Sequence, residues 1–373
     1  MLTAPNIRYL SDVYFDFGAL TVLPHLLKKY NISRPLVITD KGLVKLGIIA
    51  RLPIETPVVF DHVETNPTES MALEAFDVYS NSNCDGLVAV GGGSPIDLAK
   101  CVGILVHHKP PLEQYAIVSG GISRITGNIP PMISIPTTAG SGSEIGRAAL
   151  ITIEGRKLGF LSDHLLPLAA ICDPELTLDL PRQLTAATGM DALSHCVETY
   201  CSPRYNPVAD AIALDGLERG FKNIARVTND GTNGDARAEM MMCSLEGGLA
   251  FQKGLGAVHS LSHPLGGLTE KQLHHGTLNA IFLPHVLRYN FDYCKAKIQT
   301  MATTLGLTDA STVPERFVRL NQELGLPVRL KELGLTKDDL EPLAKKAKED
   351  HCTATNPRPL EINDCRKLYL EAW

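Results

Sequence analysis

The pattern of apolar and polar positions changes once along the chain. Up to about residue 180, short apolar and β-branched runs alternate with helix-compatible segments. The runs are PLVIT at 35–39, VVFDHV from Val58, GLVAV at 86–90 and PMISIP at 131–136. Beyond Pro181 the strand-like runs stop, and the spacing predicts helices over 183–201, 206–225, 235–252, 259–268, 275–290, 294–304, 312–324, 337–348 and 362–371. Two domains follow: residues 1–180 as an α/β domain, and residues 181–373 as an all-α domain. There are no internal repeats or low-complexity tracts.

The densest local signal in the first half is GGGSPIDLAK after the run at 86–90. A strand, a glycine turn and a helix meet there. Ser94 is a suitable N-cap, Pro95 fits the first helical position, and Asp97 would complete a capping box. Glycines let the backbone approach a ligand, and a helix N-terminus favours anions, so a phosphate belongs there. A second loop of small and hydroxyl residues, TTAGSGSE, follows the run at 131–136. Two such loops suggest one extended cofactor. Asp40, at the tip of an earlier strand, is placed to bind ribose hydroxyls and repel a 2′-phosphate, which favours NAD over NADP. The acid precedes the glycines, so the order differs from the usual Rossmann fingerprint.

In the second half chemistry collects on histidine. Five of the twelve histidines (His259, His263, His274, His275 and His285) fall within Phe251–Asn290. Upstream, in TGMDALSHCVETY, Asp191 and His195 are four residues apart and share a helix face. Three imidazoles and one carboxylate suit a first-row divalent ion and leave a coordination position for a substrate oxygen.

Composition narrows the remainder. A net charge of −6 with both signs interspersed argues against a nucleic-acid surface or a basic membrane face. With no signal-peptide pattern, no long apolar run and nine cysteines without a CxxC pair, the expectation is a cytoplasmic protein with reduced thiols. Tyr9, Val13, Phe15 and Phe17 read as an edge strand, pairing either with another subunit or in an intramolecular hairpin. A homodimer is the expected assembly, since twofold oligomers are the commonest.

Together, GGGSPIDLAK, PTTAGSGSE, TGMDALSHCVETY and GLGAVHSLSHPLGG…HHGTLNAIFLPHVLRYN resemble the iron-dependent (group III) alcohol dehydrogenase family, over nearly the whole chain and in the family's order. The resemblance implies a dehydroquinate synthase-like architecture with the active site in the cleft between the domains. The metal ligands it implies are Asp191, His195, His259 and His275, with His274 a rival for the last place. His263 would sit beside the metal and pass a proton. Asp40, Asn66, Gly92, Gly93, Ser94, Asp97, Thr137, Thr138, Ser141 and Lys157 would bind NAD, with a helix cap as the other reading of Asp97. Fe2+ is the family's expected ion, and the donor set also accepts Zn2+ or another divalent metal.

The texture is most similar to the 4-hydroxybutyrate dehydrogenase branch. A small-molecule alcohol or aldehyde is therefore expected, either a short ω-hydroxy acid such as 4-hydroxybutyrate with its semialdehyde, or a neutral alcohol or diol. Lys253, just before GLG, is placed either to hold the substrate's anionic end or as a solvated lysine; Arg147 and His164 are further basic candidates. Metal-free reductases on this architecture would lack the Asp and His ligands, and a synthase would need a basic cluster. A non-catalytic metal- and nucleotide-binding regulator is the rival from another class.

Overall fold

A computed structural model describes Tyr9, residues 11–271 and residues 273–373. The chain separates into two compact units, Leu10–Asp179 on one hand and Leu180–Trp373 with Tyr9 on the other, so Tyr9 falls with the second unit and not with the first as the expected 1–180 boundary has it. The first is built on a parallel sheet of six short strands: β1 Asp12–Phe15, β2 Pro35–Ile38, β3 Val58–Phe60, β4 Gly86–Gly91, β5 Met132–Pro136 and β8 Ala169–Cys172, in the order β1-β8-β5-β4-β2-β3. The two remaining strands, β6 Ala148–Ile153 and β7 Arg156–Leu161, form an antiparallel hairpin. Helices α1 Leu23–Lys29, α2 Lys41–Lys45, α3 Glu69–Asn81 and α4 Gly93–His107 belong to the same unit.

The central strands are continuously apolar because both faces of a parallel sheet are covered. Successive side chains go to opposite faces: Leu36, Ile38, Leu87 and Ala89 enter one core, while Val37, Val88, Val90 and Ile133 enter the other. The β4–β5 register then sets the site. Gly91 pairs with Pro136, and Thr137 N–H donates to Gly91 C=O at 3.0 Å, so the loops leaving the two strands start side by side.

The second unit is helical: α5 Arg182–Cys201, α6 Pro207–Asn229, α7 Gly234–Ala250, α8 Ala257–Gly266, α9 His275–Thr304, α10 Val313–Leu324, α11 Lys337–Leu340, α12 Leu343–Glu349 and α13 Ile362–Ala372. Helix α5 is its axis, packed on α6, α7 and α9. From Thr185 to Cys201 almost every residue of α5 is buried, including Asp191, Ser194, His195, Glu198 and Thr199. Polar groups inside a core need partners, so a helix carrying this many marks a site.

Several expectations are revised. The edge strand β1 is joined to its own chain in parallel register, Val13 opposite Ala170 and Phe15 opposite Cys172, and makes no hairpin. The segments expected at 275–290 and 294–304 are one helix kinked at Cys294, whose φ is −139°. The segment expected at 337–348 is two helices, parted at Glu341 and Pro342. All nine cysteines are unpaired. No helix among the described residues is long and apolar enough to cross a membrane.

Candidate active site

The nucleotide-type loops lie in the first unit. Helix α4 begins two residues earlier than expected. Gly92 is its N-cap and Gly93 its first residue, with no side-chain cap, so Ser94 and Asp97 do not form the expected capping box. Asp97 instead accepts from Ser143 Oγ at 2.6 Å and Leu150 N–H at 3.0 Å, tying α4 to the second loop and the hairpin. Three of the glycine-turn positions are constrained by space. Gly91 has φ +148°, a Cβ on Gly92 would meet Thr138 Oγ1 at 3.1 Å, and one on Gly93 would meet Ser141 Cβ at 3.0 Å. The two loops thus bring Gly92, Gly93, Ser94, Thr137, Thr138 and Ser141 together around the first turn of α4, where backbone amides favour an anion.

Lys100 was not singled out from sequence. Fully buried, it donates to Ser143 C=O and Oγ, Gly146 C=O and Ala148 C=O at 2.7–2.8 Å, pinning the second loop. Asn66, in left-handed conformation, accepts from Lys157 Nζ at 3.1 Å, so two of the expected cofactor residues touch. Asp40 caps α2, accepting from Leu43 N–H at 3.0 Å.

Glu144, in the same loop, gives this region a pH signature. Burial pushes its carboxyl up from 4.5 to about 7. Between those values the folded chain holds a proton that the unfolded chain has released, so this contribution to stability is lost as pH rises through that window. Urea unfolding from pH 4 to 8 is expected to show a fall to which Glu144 contributes up to about 3 kcal/mol. Glu144→Gln is expected to make the fall smaller by that amount and to leave the part due to Glu198 and Glu246, whose carboxyls burial also raises, to about 7 and about 8.

The metal-type cluster lies wholly in the helical unit. Donor atoms of Asp191, His195 and His259 lie within 4.8 Å of one another. From Asp191 Oδ1, His195 Nε2 is 3.8 Å away, His259 Nε2 3.8 Å and His275 Nε2 3.6 Å. His275 is the first residue of α9 and His274 its N-cap. Burial, then the charge of His195, drive the His259 imidazolium well below its ordinary pKa, so the ring is held neutral as a metal ligand must be.

Asn279 tests the fit of a cation. Its Nδ2 is 2.7 Å from Asp191 Oδ1, 3.2 Å from His259 Nε2 and 3.1 Å from His275 Nε2, while its Oδ1 is buried without a hydrogen-bond partner. One amide carries two N–H bonds and cannot satisfy three lone pairs. Lone pairs therefore converge here in excess of the protons available, and a divalent cation is the group that completes them.

A supporting layer escaped the sequence reading. Glu198 accepts from His259 Nδ1–H at 2.5 Å and Val258 N–H at 2.6 Å, which turns His259 Nε2 toward Asp191. The sequence signal was present, since Asp191, His195 and Glu198 repeat at helical spacing on one face. Ser262 Oγ lies 3.5 Å from His275 Nδ1. Asp350 Oδ2 accepts from His263 Nδ1 at 2.9 Å, a pairing 87 residues apart that no local pattern announces. Burial alone would raise the Asp350 carboxyl, but the charge and hydrogen bond of His263 hold it below the usual range. Carboxylates behind metal-ligating histidines contribute about 10–100-fold in metal affinity, so Glu198→Gln is expected to weaken metal binding by that factor in a competition assay against a chelator dye.

Lys253 is placed differently from expectation. Its side chain is fully buried and its ammonium donates to Asp210 and to Tyr200 C=O, so it is neither a solvated lysine nor an anchor free for a substrate. Arg147 pairs with Asp163 at 2.9 Å.

The parallel-sheet unit thus offers a glycine-lined loop suited to an anion, and the helical unit a cluster of three imidazoles and one carboxylate suited to a divalent cation. Residues 11–174 match the family described as iron-containing alcohol dehydrogenase, and residues 185–373 match the Fe-containing alcohol dehydrogenase family, C-terminal. The chain belongs to the iron-containing alcohol dehydrogenase family, and its activity is that of an alcohol dehydrogenase. It is 48% identical to a 4-hydroxybutyrate dehydrogenase of Cupriavidus necator over 97% of this chain and 98% of that protein. Among solved structures, a 1,3-propanediol oxidoreductase superposes with a TM-score of 0.91 at 34% identity, covering 99% of this chain and 100% of the other. A sulfoacetaldehyde reductase from Bifidobacterium kashiwanohense, in complex with NAD+, gives 0.89 at 25% identity over 98% of each chain.

Proposed function

We propose that this chain is an NAD-linked, divalent-metal-dependent dehydrogenase interconverting a short ω-hydroxy acid, of the 4-hydroxybutyrate type, and its semialdehyde. The excess of convergent lone pairs around Asp191, His195, His259, His275 and Asn279 carries the metal-dependent part. The acid substrate rests on the 48% identity to a 4-hydroxybutyrate dehydrogenase and on the likeness to a reductase of sulfoacetaldehyde, also anionic. NAD rests on the glycine-cradled loop and Asp40. Iron is the ion after which the family is named.

When bound, the metal supplies Lewis-acid stabilisation of charge on the substrate oxygen, and the nicotinamide accepts the hydride. The chain's own groups supply the rest. Asp191, His195, His259 and His275 hold the ion, with Glu198 fixing the His259 tautomer by taking its Nδ1 proton in a hydrogen bond. Gly92, Gly93 and Ser94 present backbone amides to the pyrophosphate, flanked by Thr137, Thr138 and Ser141, while Asp97 and Lys100 keep the two loops in register. Asp40 takes the ribose hydroxyls, and Asn66 and Lys157 act as a pair. His263 holds its Nδ1 proton against Asp350, leaving Nε2 to accept and pass on the proton that the alcohol loses.

The 1,3-propanediol oxidoreductase neighbour, together with the burial of Lys253, favours neutral diols as the second reading. The test is NAD reduction by anaerobic, Fe2+-loaded enzyme with 4-hydroxybutyrate, 1,4-butanediol, 1,3-propanediol and ethanol. A kcat/KM at least tenfold higher for 4-hydroxybutyrate than for 1,4-butanediol supports the acid. The reverse order moves the substrate to diols, and no turnover with any of them overturns both.

A further inference from the structure

Next to the cluster just described, a tight turn gathers metal-binding side chains, of which the proposed mechanism uses Asp350 as the partner of His263 and leaves His351 and Cys352 unused. After α12, Asp350 caps the 3-10 turn His351–Thr355, its Oδ1 accepting from Cys352 N–H at 2.9 Å. The turn sets Asp350, His351 and Cys352 against His263 of α8. His263 Nδ1 is 2.9 Å from Asp350 Oδ2, His351 Nδ1 is 3.7 Å from Asp350 Oδ1, and His351 Nε2 is 3.5 Å from Cys352 Sγ. One ligand-capable atom from each of the four lies within 4.8 Å of the others. Cys352 and His263 are 3% and 5% exposed, but the His351 side chain keeps 31% of its surface, so one side of the group is open.

We propose that His263, Asp350, His351 and Cys352 form a second divalent-metal site that prefers zinc, and that filling it inhibits turnover. Tetrahedral zinc with bonds of about 2.0–2.3 Å needs its donors roughly 3.3–3.8 Å apart. The group as it stands therefore has to tighten by about an ångström, and the half-open His351 has room to turn. The donor set also separates this site from the first. Three imidazoles and a carboxylate accept most first-row ions, whereas a thiolate selects zinc over iron or manganese. As the Sγ–metal bond forms, the thiol releases its proton to water, and the thiolate and Asp350 together offset the charge of the ion. No electron transfer is involved.

Inhibition follows from the sharing of His263. Its ring stacks on His275 with centroids 5.4 Å apart and on His351 at 5.8 Å, so it adjoins both groups. A zinc ion bound to it removes the base that the proposed mechanism uses, while leaving Asp191, His195, His259 and His275 in place. The inhibitory effect rests on the proposed role of His263; the occupancy does not.

Cobalt is the probe, because thiolate ligation to Co2+ gives a near-ultraviolet charge-transfer band that nitrogen and oxygen donors lack. Chelator-stripped full-length protein is titrated anaerobically with Co2+, with bound metal measured after desalting. The expected result is two equivalents per chain, the band rising only with the second. Cys352→Ser is expected to stop at one equivalent without the band, and His351→Gln to weaken the second equivalent at least tenfold. If Cys352→Ser fails to fold, His351→Gln, at the open edge, carries the comparison. Saturation at one equivalent, or a band that survives in Cys352→Ser, overturns the site. With the first site loaded, excess Zn2+ is expected to lower NAD reduction in the wild type and to do so at least tenfold less effectively in His351→Gln. A second zinc that binds without slowing turnover overturns the inhibitory role alone.

Discussion

His259→Ala is expected to yield a folded chain that retains almost no divalent metal and turns over at least about 10³-fold more slowly. The size follows from the Lewis acid it would lose, worth several kcal/mol, at about 1.4 kcal/mol per tenfold in rate. The geometry explains why this histidine matters so much. His259 is almost fully buried, and Glu198 occupies its Nδ1 at 2.5 Å, so its Nε2 lone pair has one direction available, toward Asp191 Oδ1 at 3.8 Å. Removing the ring also leaves the Glu198 carboxylate buried with only backbone donors, which costs about 1–3 kcal/mol of stability. Metal content after desalting, read beside kcat, tests the assignment. A variant that keeps one metal per chain yet loses activity would make His259 a positioning residue and not a ligand.

What the sequence made legible was local. The glycine-rich junction after β4, the run of helices after Pro181 and the grouping of Asp191, His195, His259 and His275 all follow from spacing or from motif, and each depends on neighbours in the chain. The failures fall where a distant partner decides. Ser94 and Asp97 have the right spacing for a capping box, but Ser143 Oγ and Leu150 N–H claim the Asp97 carboxylate, and Gly92 begins the helix without a side-chain cap. Asp350 lies in a turn with no periodicity, and its importance is visible only once the fold sets it 2.9 Å from His263. The hairpin of β6 and β7 was missed for a related reason. Its Thr152–Lys157 and Ile153–Arg156 pairs flank a turn at Glu154-Gly155, a strand signal outweighed in the sequence by the charged residues around it.

Lys253 is the sharpest case, and its replacement is the second large effect. Lys253→Ala is expected to lower the unfolding free energy by about 2–5 kcal/mol, the range for truncating a long buried side chain to alanine, since Asp210 is partly exposed and keeps Lys297 as a partner. The lysine closes a joint between three helices. Its ammonium donates to Asp210 of α6 and to the Tyr200 carbonyl at 3.2 Å, at the C-terminal end of α5, where cations are favoured by the helix dipole. Lys297 of α9 approaches the same carbonyl at 2.6 Å and the other Asp210 oxygen at 3.6 Å. Two ammonium groups thus share one carboxylate, and deleting Lys253 leaves a void and the Tyr200 carbonyl with one donor fewer. Lys253→Met fills the volume and leaves Asp210 to Lys297, so it is expected to lose less than half as much. Urea denaturation of the metal-loaded variants gives the stability ranking, and the ratio of kcat/KM for 4-hydroxybutyrate over 1,4-butanediol gives the functional one. The buried pairing requires that ratio to stay within about twofold of the wild type in both variants, since a change of that size is under 0.5 kcal/mol. A tenfold fall in the ratio with the unfolding midpoint unmoved would return Lys253 to the role of substrate anchor, and would require its ammonium to leave Asp210 when the substrate binds.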